Sequence, residues 1–348
     1  MAYSSISKPS LYFNTKLYTG TGATQSITGV GFQPDFTWIK PRSIADNHVA
    51  FDAVRGATKV LKVNLTNAES TVAQTLTSFN SDGFSIGSDG EVSGNNATYA
   101  SWNWKAGTTG SGTTTGSGTA KSYSYSVNTT SGFSIVKYTG NGTIGQQIPH
   151  HLGVVPKMII QKRLPTDGAG WNVYHHSLGL NFLMLQSTNA SASDSGKYNA
   201  NPTSTYVQIG NDGGMNTNDA EHILYCFAEK QGYSKFGSYT GNASTDGPMI
   251  FTGFKPSFVM SKRTDSAGNS WRMFDNKREG YNGAMGIIHA NLTDAESVAS
   301  TIDFLSNGFK IRTTSTDQNT SGATYIYMAF AEEPLVANVG SSIPATAR

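Results

Sequence analysis

The sequence predicts an all-β protein of three tandem antiparallel β-sandwich units, jelly-roll-like, with short helices. Three observations predict it. First, one pattern recurs: Tyr18-Thr19-Gly20-Thr21-Gly22 returns as Tyr138-Thr139-Gly140-Asn141-Gly142 and again as Tyr239-Thr240-Gly241-Asn242. Second, only 14% of the 348 residues are charged and 37% are hydrophobic, both low for a soluble chain. Gly, Ser, Thr and Asn fill the difference, and these residues close turns and tolerate positive φ. Third, apolar residues alternate over short runs bounded by turn signals, the mark of half-buried strands.

The repeat spacing sets the units. Tyr18 to Tyr138 is 120 residues and Tyr138 to Tyr239 is 101. We read residues 1–107 as a first unit with its lead-in, 108–120 as a linker, 121–230 and 231–333 as the second and third units, and 334–348 as a C-terminal arm. Gly107 to Ala120 contains only Gly, Thr, Ser and Ala, so it reads as a flexible coil spanning roughly 20 Å, which lets the first unit reorient. The second and third units join almost directly through Glu229-Lys230-Gln231-Gly232.

Within each unit a proline-led apolar run ends in basic residues: Pro34 to Arg42, Pro156 to Arg163 and Pro256 to Arg263. Each unit closes on an apolar strand, Thr98 to Trp104, His222 to Phe227 and Thr324 to Phe330. Between them, Thr66-Asn67-Ala68-Glu69 and Thr293-Asp294-Ala295-Glu296 match the capping box that opens a helix. Thr188-Asn189-Ala190-Ser191 lacks the acid, which weakens the expectation in the second unit.

The formal net charge of +2 gives no footing to a nucleic-acid surface, which needs clustered Lys and Arg. Cys226 has no partner for a disulfide and reads as a small buried hydrophobe. The N-terminal residues show no basic start and no apolar stretch, so no export signal is expected. No apolar run approaches a membrane span, and the chain is expected to be soluble and made in a cytoplasm.

Candidate functional residues are weighed against structural roles. The strand-end basic pairs Lys40/Arg42, Lys162/Arg163 and Lys262/Arg263 could grip anions. Phe51-Asp52 with Arg55 and Phe274-Asp275 with Arg278 recur downstream, however, so Arg42 with Asp52 and Arg263 with Asp275 are expected to form structural ion pairs. Glu229 and Glu332 have Ala106 as their counterpart, and no pair of acids is selected for hydrolysis of a glycoside. The doublets His150-His151 and His175-His176 point to opposite faces if extended and read as surface or loop residues. No metal-ligand spacing, nucleophile elbow or phosphate loop occurs, so no catalytic residue, metal or cofactor is expected. The remaining candidates are contact residues: Asn211, Asp212, Asn216 and Asn218 in one loop, and Trp171 and Trp271, whose recurrence favours the core over binding.

These residues carry a resemblance. Gly31 to Arg42, Phe51 to Gly56, Asn64 to Glu69 and Thr324 to Glu332 resemble a repeat domain of tailed phages of marine bacteria. The resemblance runs from about Leu17 to Glu333. It implies a non-enzymatic virion structural protein, part of a tail fibre or appendage and assembled in the host cytoplasm. A homotrimer is the favoured assembly, with other virion proteins as partners and no nucleic acid or membrane insertion. Contact with host surface polysaccharide through loop tips is a narrower expectation. A capsid decoration protein is the alternative, and a polysaccharide-degrading tail enzyme a more distant one. The second unit departs most, with Tyr174-His175 in place of Phe-Asp and Ser191 in place of the Glu.

Overall fold

The computed structural model describes residue 4, residues 6–278 and residues 282–335; most of the expected C-terminal arm, residues 336–348, lies outside them. Strands dominate, and they assemble into six antiparallel sheets, three large and three small. The first large sheet runs, in spatial order, Phe13–Thr19, Thr98–Trp104, Phe36–Pro41, Val49–Asp52, Lys59–Lys62 and Ser70–Thr71. The third repeats that order with Ser234–Thr240, Thr324–Pro334, Phe254–Arg263, Arg272–Asp275, Met285–His289 and Ser297–Ala299. The second does the same from Phe133–Thr139 through Glu221–Phe227, Met158–Arg163 and Asn172–His175 to Phe182–Met184, but carries two further strands, Ser122–Asn128 and Thr108–Thr113, outside Phe133–Thr139.

Each large sheet packs one face on a three-stranded sheet. Ile27, Leu76, Phe84 and Ile86 meet Ile39, Val49, Phe51 and Tyr99 in the first pair. Ile148, Val207 and Ile209 meet Ile159, Leu224 and Cys226 in the second. Ile250, Phe304, Phe309 and Ile311 meet Val259, Phe274 and Tyr325 in the third. Side chains alternate across a strand, so the other face of each large sheet is equally apolar, and these three faces share one further core. Its centre is a triangle of rings from the three closing strands. Trp104 stands 6.1 Å from Phe227 and 5.8 Å from Phe330, and Phe227 stands 6.1 Å from Phe330.

Two expectations are corrected here. Residues 108–120 are not a free coil: Thr108–Thr113 pairs with Ser122–Asn128, and Thr115–Gly116 pairs with Gln146–Pro149. An edge strand needs only backbone to hydrogen-bond, and glycine leaves room for a neighbour's ring to fold across it. A Cβ on Gly110 would lie 2.6 Å from the Tyr125 hydroxyl, and one on Gly112 would lie 2.8 Å from that of Tyr123. The capping-box segments are not helices either. Thr66 to Glu69 and Thr293 to Glu296 form no helical turn, and the amides of Glu69 and Glu296 are engaged by the neighbouring sheet instead. Four-residue helices form instead at Gly90–Ser93 and Gly213–Asn216, capped by the carboxylates of Asp89 and Asp212.

The shared core makes cooperative unfolding the expected behaviour. Trp104→Ala should cost about 3–5 kcal/mol, and differential scanning calorimetry of both proteins should give one transition rather than three.

Candidate functional site

The residues that recur in the sequence converge on the seams between the large sheets, and these seams close a ring. From first to second sheet, the Glu69 amide donates to Leu164 O at 2.8 Å and the Gly168 amide to Thr66 O at 3.1 Å. From second to third, Ser191 donates to Thr264 O at 2.8 Å and Gly268 to Thr188 O at 3.0 Å. From third back to first, Glu296 donates to Arg42 O at 2.8 Å and Asp46 to Thr293 O at 2.8 Å.

A ring nitrogen spans each seam at one equivalent place. Trp171 Nε1 donates to Lys62 O at 3.0 Å and Trp271 Nε1 to Met184 O at 3.1 Å. The first sheet uses His48, whose Nε2 lies 3.0 Å from His289 O. Its Nδ1 accepts from Trp38 Nε1 at 2.9 Å, which fixes the proton on Nε2. Burial holds the His48 imidazole well below its ordinary pKa, so the ring is neutral.

Beneath these bonds lie two buried ion clusters, each an arginine with two carboxylates. Arg55 pairs with Asp52 and, at 3.0 Å, with Glu69; Arg278 pairs with Asp275 at 2.6 Å and with Glu296 at 3.3 Å. Each aspartate also accepts a bond from the next sheet's closing strand, Tyr225 Oη to Asp52 at 2.7 Å and Trp102 Nε1 to Asp275 at 2.9 Å. The remaining seam has no carboxylate at this place. His175 Nε2 meets Tyr327 O at 3.2 Å instead, and the closing-strand residue there is the apolar Met328. Strand-end lysines lie beside the seams: Lys40, Lys162 and Lys262 are fully buried and donate to Pro41 O, Arg163 O and Arg263 O at 2.7, 2.9 and 2.9 Å. Lys162 and Lys262 also reach across to Thr66 O and Thr188 O, each at 3.4 Å. Burial lowers each of these ammonium groups to about 8.

The opening motif is structural as well. Tyr18, Tyr138 and Tyr239 stack on Tyr99, His222 and Tyr325 at 4.9, 5.0 and 4.9 Å. Their hydroxyls donate to Val92 O, Met215 O and Gln318 O. A Cβ on Gly20, Gly140 or Gly241 would lie 2.4, 2.3 or 2.2 Å from a backbone oxygen of the loop before the closing strand, so only glycine fits.

Several expected sites are corrected. Arg42 pairs with Glu296 across a seam rather than with Asp52, and Arg263 pairs with Asp265 rather than with Asp275. Arg55 and Arg278 sit only three residues from the aspartates, and their forks reach them within one turn. Trp171 and Trp271 are each 1% exposed, in the core as their recurrence favours, and offer no ring to a ligand. Asn216 is buried: its Oδ1 accepts from Asn141 N at 2.8 Å and its Nδ2 donates to Gly210 O at 2.8 Å. Asp212 caps its helix and pairs with Lys197 at 2.9 Å. Of the four candidates in that loop only Asn211 and Asn218 are exposed. His150 and His175 are buried rather than on the surface, one ring of each doublet turning inward. Glu229 and Glu332 pair with Lys235 and Lys255. Among the described residues no group of His, Cys, Asp or Glu has the geometry to hold a metal ion, and no helix is long and apolar enough to cross a membrane.

Residues 8–334 match the family described as a domain of unknown function, DUF7483. The chain belongs to that family. The match takes in all six sheets. Comparison with curated proteins and with solved structures gave no match.

Two measurements probe the seams. Arg278→Leu strands Asp275 as an unpaired buried charge and should cost about 3–5 kcal/mol in chemical denaturation. Adding Asp275→Asn, which keeps an acceptor for Trp102, should recover part of the loss. The second concerns acid. Burial lowers His150 to about 4 and His175 and His222 to about 3. Between those values and the ordinary histidine range the unfolded chain binds more protons, so stability falls as pH drops below about 6.5. Asp35, raised by burial to about 6, works the other way as a single group. His175→Asn should flatten the dependence of Tm on pH between about 6.5 and 4.

Proposed function

We propose that this chain is a structural protein of a tailed-phage virion, part of a fibre, appendage or surface decoration. In this reading three copies of one sandwich unit close into a single-chain pseudo-trimer. The observation that carries it is the use of the recurring residues. The paired Asp and Arg, the lysines Lys162 and Lys262 and the seam tryptophans all serve the closure of the ring. A protein that invests its repeated chemistry in joining sheets is suited to bearing load and presenting surface. The threefold arrangement a fibre obtains from three subunits is supplied here inside one chain, and the apolar faces that subunits would share lie in the common core.

The sequence resemblance to virion repeat domains supports the same role, and the family match over residues 8–334 agrees with the closed ring as the working unit. Host contact falls in this proposal to the exposed part of the loop around Asn211 and Asn218, where the copies differ. Immunogold labelling of purified virions tests the proposal. Gold on tail or fibres, or spread over the head, supports a structural role and separates appendage from decoration. Absence of the protein from virions by mass spectrometry overturns it.

A further inference from the structure

We propose that the free edge of the third small sheet, the strand Met249–Phe251, pairs antiparallel with the same strand of a second copy of this chain. The three small sheets are built to one register, with Ile27 opposite Phe84, Ile148 opposite Val207 and Ile250 opposite Phe309. Their outer edges are treated differently. In the second sheet the edge is already occupied: Thr115–Gly116 pairs with Gln146–Pro149, Thr115 lying opposite Gln147. An added strand therefore fits this position of the fold. In the first sheet the edge Gln25–Thr28 presents polar Ser26 and Thr28 outward, both exposed. In the third, the matching outward residues are Met249 and Phe251, 47% and 58% exposed, while Ile250 between them is 7% exposed and in the core. On its outer side this strand has no strand neighbour among the described residues.

The character of the edge selects the occupant. Exposed edges are ordinarily blunted by charge, as Lys16, Lys235 and Asp303 do in the edge strands Phe13–Thr19, Ser234–Thr240 and Ile302–Leu305. Gly247 to Gly253 carries no charged side chain. An uncharged strand with apolar residues either side of a central isoleucine is complementary to itself. Pairing centred on Ile250 sets Met249 of each copy opposite Phe251 of the other, within cross-strand contact. It joins two three-stranded sheets into one across a two-fold axis. Glu229, Gln231 and Lys235 border the groove beside Phe251 and supply a polar rim. Among the described residues no other small-sheet edge sets two exposed apolar residues either side of a buried one, and a two-fold contact uses this one up, so association through it stops at two copies. The proposal is independent of the virion reading.

Sedimentation equilibrium of the full chain tests it. The expected result is a concentration-dependent species of twice the 37.1 kDa chain. Phe251→Lys should weaken dimerisation at least about tenfold with an unchanged Tm, because the side chain is exposed in the monomer. Met249→Lys with Phe251→Glu places opposite charges across the two-fold and should restore dimerisation relative to Phe251→Lys alone. A wild-type protein that stays monomeric or forms trimers overturns the proposal. So does a Phe251→Lys protein that dimerises as before, or a doubly charged variant that does not recover.

Discussion

The structure depends on one constraint: each large sheet is apolar on both faces, and its small sheet covers only one. The closing strands show it plainly. Tyr99 belongs to the first sheet pair's own core, while Trp102 and Trp104, three and five residues further on and so on the opposite face, belong to the core all three large sheets share. Period-two alternation sends successive side chains to opposite faces, so a strand rich in apolar residues at both parities must be covered twice. Three such sheets turned inward cover one another, and the triangle of Trp104, Phe227 and Phe330 is the result. The burial of a large aromatic contributes about 1.5–3 kcal/mol, and the shared core holds many such side chains.

Closing a ring brings backbone ends, strand-end lysines and carboxylates out of water, and each must find a partner. Two seams solve this with an Asp-Arg-Glu cluster, and the third with His175 and a backbone carbonyl. A buried ion pair is costly to break and cheap to replace as a whole, which explains how one seam can differ without disturbing the ring. The differences are matched across the interface. Where the aspartate is present, the neighbouring strand offers Tyr225 or Trp102 as donor; where it is absent, the neighbour offers Met328, and the histidine turns to Tyr327 O instead.

Because the recurring residues are used in closure, the places where the three sheet pairs differ carry the molecule's individuality. These are the added strands of residues 108–128, the loop around Asn211 and Asn218, and the apolar edge at Met249–Phe251. Low overall charge follows the same logic. Much of the polar demand inside the body is met by Asn, Ser, Thr and backbone groups, as where Asn216 and Asn319 each bind the turn that begins a repeat. Neutral partners bond there without the desolvation that a charge would suffer.

Much of the local structure was legible in the sequence. The all-β character, the repeated strands and the turn glycines are dictated by alternation and by residues suited to tight backbone approach, which are local properties. The sequence also showed that Asp52, Arg55, Asp275 and Arg278 recur together. Which carboxylate met which guanidinium was decided by the fold, because Glu69 and Glu296 reach those arginines only once the strands are paired. Arg42 found its acid 254 residues away. The capping-box segments and residues 108–120 depart from their local preference for helix or coil for one reason: a neighbouring sheet satisfies their backbone. The seam roles of Trp171, Trp271 and His175 were likewise beyond sequence alone. Periodicity marks a face as apolar, and only tertiary packing decides whether solvent, a small sheet or another large sheet lies against it.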